Sequence, residues 1–132
     1  MQRPEATRGL RHVALYVKDL AACEQFYCEL MGMHVEWRPD ADNVYLSGGN
    51  DNLALHKASE LLDVNAVQKL DHIGFILATP RHVDDWFVFL QAQGVEIRNP
   101  PRTHRDGARS FYCYDPDKTV VQMIYHPPIS DK

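Results

Sequence analysis

The feature that most constrains this chain is an internal repeat: Leu70-Asp71-His72-Ile73-Gly74-Phe75-Ile76-Leu77 restates Leu10-Arg11-His12-Val13-Ala14-Leu15-Tyr16-Val17. Two copies of one strand imply two copies of one unit. Strand alternation puts Val13, Leu15 and Val17 on one face and His12, Ala14 and Tyr16 on the other. In the second copy Ile73, Phe75 and Leu77 oppose His72, Gly74 and Ile76. The segment after each strand repeats as well. Asp19 caps a helix with the stripe Leu20, Cys23, Phe26, Tyr27, Leu30 and Met31, stopped by Gly32 and followed by Val35-Glu36-Trp37-Arg38. Thr79-Pro80 opens a second helix with the stripe Val83, Trp86, Phe87 and Leu90, stopped by Gly94 and followed by Val95-Glu96-Ile97-Arg98.

The remaining segments extend both copies. Pro39 to Asn43 reads as a turn, Val44-Tyr45-Leu46 as a third strand, Ser47 to Asp51 as a hairpin connection and Asn52 to His56 as a fourth strand. The second copy adds a polar loop from Asn99 to Arg109, then strands Ser110 to Tyr114 and Val120 to Tyr125 around the turn Asp115-Pro116-Asp117-Lys118. The reading is α+β: a single domain over residues 1–132, with module 1 at about residues 9–57, a connector at 58–69 and module 2 at about 70–128. Leu61, Leu62, Val64 and Val67 give the connector a partly packed character with a helical turn. Residues 1–8 read as a frayed polar tail.

Composition narrows the function classes. At 132 residues the chain suits one core, burying roughly two thirds of its unfolded surface. A net charge of -4 without a basic run argues against a nucleic-acid surface. Cys23, Cys28 and Cys113 form no Cys-x-x-Cys pair, so neither a disulfide framework nor a zinc ribbon is indicated; Cys23 reads as a small core residue. No apolar run approaches the ~20 residues of a membrane span and the start lacks a signal-peptide core, so a cytoplasmic protein without membrane partner is expected.

The repeat nominates four groups for one pocket opposite the helix-packed faces: His12 and His72 on the leading strands, His56 and Gln122 on the closing strands, with Gln122 near the place His56 has in the first copy. Three imidazoles and an amide oxygen suit one divalent ion of iron, nickel, zinc, manganese or cobalt, and an uncharged ligand set leaves its positive charge to polarise a substrate. For any one such histidine alone, the plain alternative is a hydrogen-bonded, half-buried residue. His34, His82 and His126 lack repeat partners and read as surface or structural. The loop with His104, Arg105 and Arg109, followed by Tyr112, offers cations for a carboxylate or phosphate and a hydroxyl, or else a solvated hairpin tip. Arg109 leads that set.

The paired β-α-β-β-β units, His12-Val13-Ala14-Leu15 and His72-Ile73-Gly74-Phe75, Phe26-Tyr27 before Gly32, and Asp115-Pro116-Asp117 before Val121-Gln122-Met123 resemble the vicinal oxygen chelate superfamily. That group contains glyoxalase I, extradiol dioxygenases, fosfomycin-resistance proteins and bleomycin-binding proteins. The resemblance implies two tandem βαβββ modules forming a curved mixed sheet around a concave metal or ligand site, and a homodimer. It selects His12, His56, His72 and Gln122 as metal ligands. Two departures stand out: the usual closing glutamate is Gln122, and the usual Asp-Pro-Asp-Gly turn ends in Lys118. In glyoxalase I a metal-bound glutamate moves the substrate proton, so His56 is the substitute base implied here. The function implied is a divalent-metal-dependent lyase, isomerase or dioxygenase acting on a small oxygenated substrate that chelates the ion. The alternative is a non-catalytic, drug-sequestering protein with an aromatic-walled pocket, and a third possibility is a plain dimeric ferredoxin-like module.

Overall fold

The computed structural model describes residues 1–59, 70–114 and 119–132. The connector around Leu61, Leu62, Val64 and Val67 and the turn at residues 115–118 lie outside the described residues. Two compact units divide the chain, one of residues 12–71 and one of residues 1–11 with 72–132. The fold is α+β, with βαβββ order in each copy.

In the first copy β1 (Leu10–Val17) leads to α1 (Leu20–Gln25), then β2 (His34–Asp40), β3 (Asn43–Ser47) and β4 (Asn52–Lys57). β4 pairs with β1 in parallel and with β3 antiparallel, and β3 pairs with β2, giving a mixed sheet of order β2-β3-β4-β1. Asp19 Oδ1 accepts the Ala22 N–H at 3.0 Å, the expected cap. The single α-helix expected up to Gly32 is instead short, and residues Phe26–Leu30 wind into a π-helix before Gly32 at φ +80° turns the chain. Val44, Leu46 and Leu55 are fully buried beneath Leu15, Val17, Leu20, Cys23 and Tyr27, so Cys23 takes its core place.

The second copy runs β5 (Leu70–Ile76), α2 (Pro80–Ala92), β6 (Ile97–Thr103), β7 (Arg109–Tyr114) and β8 (Val120–Tyr125). β5 and β8 are parallel and β8, β7 and β6 antiparallel. Thr79 caps α2, whose Val83 and Trp86 bury against Leu77, Phe111, Cys113 and Met123. Residues 1–8 are not frayed: Trp86 Nε1 donates to Glu5 O at 3.1 Å and Arg8 N to Ile76 O. Their side chains are polar, but their backbone finds partners.

Both second strands outrun their expected ends. β2 continues through Pro39 and β6 through Pro100 and Pro101, because an edge strand tolerates a residue that cannot donate to the ladder. The polar loop of the second copy therefore shrinks to residues 104–108, closed by His104 N to Ala108 O at 2.7 Å. Each edge strand also carries register shifts at matching places. Val35 faces Leu46 and Trp37 faces Tyr45, so Glu36 is the extra residue; Ile97 faces Cys113 and Asn99 faces Tyr112, so Arg98 is the extra residue. A second shift follows before Asp40 and before Arg102. Glu36 and Arg98 are thus equivalents, as are Asp40 and Arg102, two residues away from the alignment that Val35-Glu36 and Val95-Glu96 imply in sequence.

No helix among the described residues is long and apolar enough to cross a membrane.

Candidate metal and ligand site

In the unit of residues 12–71, the sheet face opposite α1 carries His12 and Tyr16 from β1, Asn52 and His56 from β4, and Asn43 and Tyr45 from β3. His12 is 4% exposed. Its Nδ1 lies 2.7 Å from Asn52 Oδ1, and Asn52 Nδ2 donates to Glu36 Oε2 at 2.6 Å. Since the amide nitrogen is committed to a carboxylate, Asn52 Oδ1 is the acceptor, His12 Nδ1 carries the proton, and Nε2 is the ring's basic nitrogen. His56 repeats the arrangement: Nδ1 meets Asn43 Oδ1 at 2.6 Å, and Asn43 Nδ2 donates to Asp40 Oδ1 at 2.8 Å. Here Nε2 stands 3.9 Å from Asp71 Oδ2, so a proton arriving on this nitrogen meets a carboxylate. Trp37 stacks on Tyr45 at 5.3 Å, and Tyr45 and Tyr16 pack against His56.

Parallel pairing decides which closing-strand residues are equivalent. Gln122 faces Gly74, two residues after His72; the residue facing Ala14, two after His12, is Ala54. His56 faces Tyr16 and lies two positions further on. His56 and Gln122 therefore share a face type and lie near one another's place in the repeat, two positions apart.

In the other unit, the face opposite α2 carries His72, Gln122, Ser110 and Tyr112. Gln122 is 4% exposed; its Nε2 donates to Ser110 Oγ at 2.9 Å, while its Oε1 is buried with no hydrogen-bond partner among the described residues. Ser110 Oγ lies 2.7 Å from His104 Nε2. Burial, and then the charge of Arg102, push the His104 pKa below the usual histidine value despite Asp106. A neutral His104 accepts at Nε2, so the Ser110 hydroxyl donates to it and accepts from Gln122. The amide is thereby held with its oxygen outward from that chain. Tyr112 meets the His72 ring edge-on at 5.3 Å, and Arg98 lies over Tyr112 at 6.0 Å from its centroid.

Arg109 does not join this face. It shares the helix-covered side with Phe111, and its guanidinium is bound to Asp84 of α2 at 2.7 and 3.2 Å and to Thr103 Oγ1 at 3.0 Å. Arg105 is exposed in the tight turn. Of the four residues expected to bind substrate, His104 and Tyr112 lie on the ligand-type face. His34 is exposed, His82 faces Glu5 at 3.6 Å, and His126 is buried, its N–H donating to Ser130 Oγ. Asn43, Asn52, Glu36, Ser110 and Arg98 were missed by sequence reasoning. Strand parity puts Asn52 on the same face as His56, but its partnership with His12 shows only in the register.

No three histidine, cysteine or carboxylate side chains among the described residues stand together as a metal site. The Asn52 partnership is expected to matter to His12 as an outer-shell contact does: Asn52→Leu should weaken metal binding about 10- to 100-fold, measured by competition with a chelator dye, while far-ultraviolet circular dichroism stays unchanged.

A comparison with curated proteins gives no match. Among solved structures, the chain is similar to the 2,3-dioxygenase LapB of Pseudomonas sp. KL28, at 20% identity and TM-score 0.77 over 92% of this chain and 43% of that one. It is similar to the Mn(II)-bound glyoxalase of Novosphingobium aromaticivorans at 21% identity and TM-score 0.73, over 90% and 39% respectively. For a methylmalonyl-CoA epimerase of Streptomyces coelicolor the values are 18% and 0.70, over 91% and 98%. The chain spans less than half the length of the dioxygenase and glyoxalase chains, and at these identities the likeness concerns the fold. A family model matches residues 9–123, nearly the whole chain. The chain therefore belongs to the Glyoxalase/Bleomycin resistance protein/Dioxygenase superfamily.

Proposed function

We propose that the protein is a divalent-metal-dependent enzyme of glyoxalase or dioxygenase type, acting on a small oxygenated substrate that chelates the ion. The ligands assigned are His12, His72 and Gln122. The observation that carries this reading is Gln122 Oε1, a buried acceptor with no hydrogen-bond partner among the described residues on an amide whose nitrogen is already fixed. A buried acceptor left unpaired costs on the order of 1–3 kcal/mol, which a bound cation would recover. The metal, when bound, supplies Lewis-acid polarisation of neighbouring substrate oxygens. His12 and Gln122 are oriented by Asn52 and Ser110 before any ligand arrives.

His56 is assigned the proton-accepting role instead of ligation, because its register departs from that of Gln122 and its Nε2 stands beside Asp71. Asn43 holds the ring, and Asp71 receives the charge of the imidazolium that forms. Tyr112 and His104 border the Gln122 side, where they meet substrate. A homodimer is part of this proposal. Support also comes from similarity to a dioxygenase, a manganese-bound glyoxalase and an epimerase.

A second reading, a drug-sequestering pocket, is favoured by the stacked Trp37 and Tyr45 beside Tyr16 and His56. Elemental analysis of protein purified without a metal-affinity tag, then dialysed against limiting nickel, zinc, iron and manganese, separates the two. Stoichiometric, tightly held metal is expected. Its absence under every condition would overturn the enzyme reading in favour of sequestration.

A further inference from the structure

We infer that the substrate carries a carboxylate and that Arg98, backed by Arg102, selects it; this rests on the reading of the His72 and Gln122 face as a ligand face. The repeated bulges set the two units apart in charge. In the unit of residues 12–71 the two shifted positions are acids, Glu36 and Asp40, and both are used inside the protein: each accepts from the asparagine that holds a histidine. At the equivalent positions of the other unit stand Arg98 and Arg102. Neither arginine makes an ion pair among the described residues, although the chain has 18 acids to 14 lysines and arginines.

Their placement gives the charge a direction. A bulge re-aims a side chain, and Arg98 and Asn99 together face Tyr112, so Arg98 lies over the ring whose edge meets His72. Arg102 faces Ser110, the hydroxyl that fixes Gln122, and its charge is felt at His104. Glu96 faces Tyr114 at the far end of β6, and Asp106 is turned back on its own loop through Ala108 N–H. The Arg98 guanidinium is left as a planar, two-pronged donor over Tyr112 at the border of the ligand face, a donor shape that suits a carboxylate. A neutral donor set on the metal adds to the same preference, since nothing in it offsets an anion's attraction.

The test uses two probes with the same vicinal oxygens, 3,4-dihydroxybenzoate and 3,4-dihydroxybenzamide, titrated calorimetrically into the metal-loaded full chain. The acid should bind about tenfold more tightly than the amide. Arg98→Gln should bring the two affinities within about twofold by weakening the acid alone, and Arg102→Gln should have a smaller effect in the same direction. Equal affinities in the unaltered protein, binding of neither probe, or a preference that survives Arg98→Gln would overturn the inference. Metal content measured on the same samples keeps the two claims apart. Stoichiometric metal without a preference refutes only the arginine role; a preference that depends on Arg98 without tightly held metal refutes only the metal centre.

Discussion

Replacing either His12 or His72 with alanine is expected to abolish stoichiometric metal binding, with at least a 100-fold loss of affinity, beyond the ~10- to 100-fold typical of an outer-shell partner. Both variants should also lose stability. Removing His12 leaves Asn52 Oδ1, on a residue 5% exposed, without the ring that meets it, a cost of about 1–3 kcal/mol. Removing His72 takes away an edge-on contact with Tyr112, worth about 0.5–1.5 kcal/mol beyond area burial for aromatic pairs. Metal content and thermal melts of chelator-treated protein measure both effects together. Unchanged metal content in the two variants would remove these histidines from the site.

Gln122→Glu is expected to act in opposite directions on the metal-free and metal-loaded protein. A carboxylate at a position 4% exposed must be buried, which costs several kcal/mol when nothing cationic is near. With a divalent ion in place the same charge becomes the strongest donor of the set, and affinity should rise about tenfold or more. The gap between melting temperatures with and without metal should therefore widen from both sides. Equal metal affinity in the variant and the parent would show that Gln122 is not a ligand.

The repeat was legible because strand phase, helix phase and terminal glycine all return together, as Leu10 to Val17 and Leu70 to Leu77 show at once. Strand parity likewise put His12 and His72 on the faces opposite the helices. Three things escaped for physical reasons. A β-bulge breaks the alternation on which parity depends, so the delivery of Glu36 and Arg98 to the ligand faces could not be read locally. Parallel register is set by no hairpin turn, so neither the pairing of His12 with Asn52 nor the two-residue offset of His56 from Gln122 has a local signal. Prolines 39, 100 and 101 marked turns in the sequence but sit in edge strands, where a missing donor is tolerated.

Arg109 is a different case. Its parity with Phe111 and Cys113 already places it on the helix-covered side, and the attraction of a cation-rich loop outweighed that phase. Arg109 is instead paired with Asp84, while the cation over Tyr112, whose edge meets His72, is Arg98, which the sequence pattern presents as an ordinary strand residue. The candidate site was thus half legible: its histidines and amide by parity, its supporting asparagines, serine and arginine only through the register.

The most direct test of the proposed centre is X-ray absorption spectroscopy of the zinc-loaded protein, read for the number of imidazole nitrogens bound to the ion. Two imidazoles with oxygen completing the shell is the expected result. Three imidazoles would return His56 to the ligand set and contradict its assignment as a base; a shell without histidine would contradict the centre altogether.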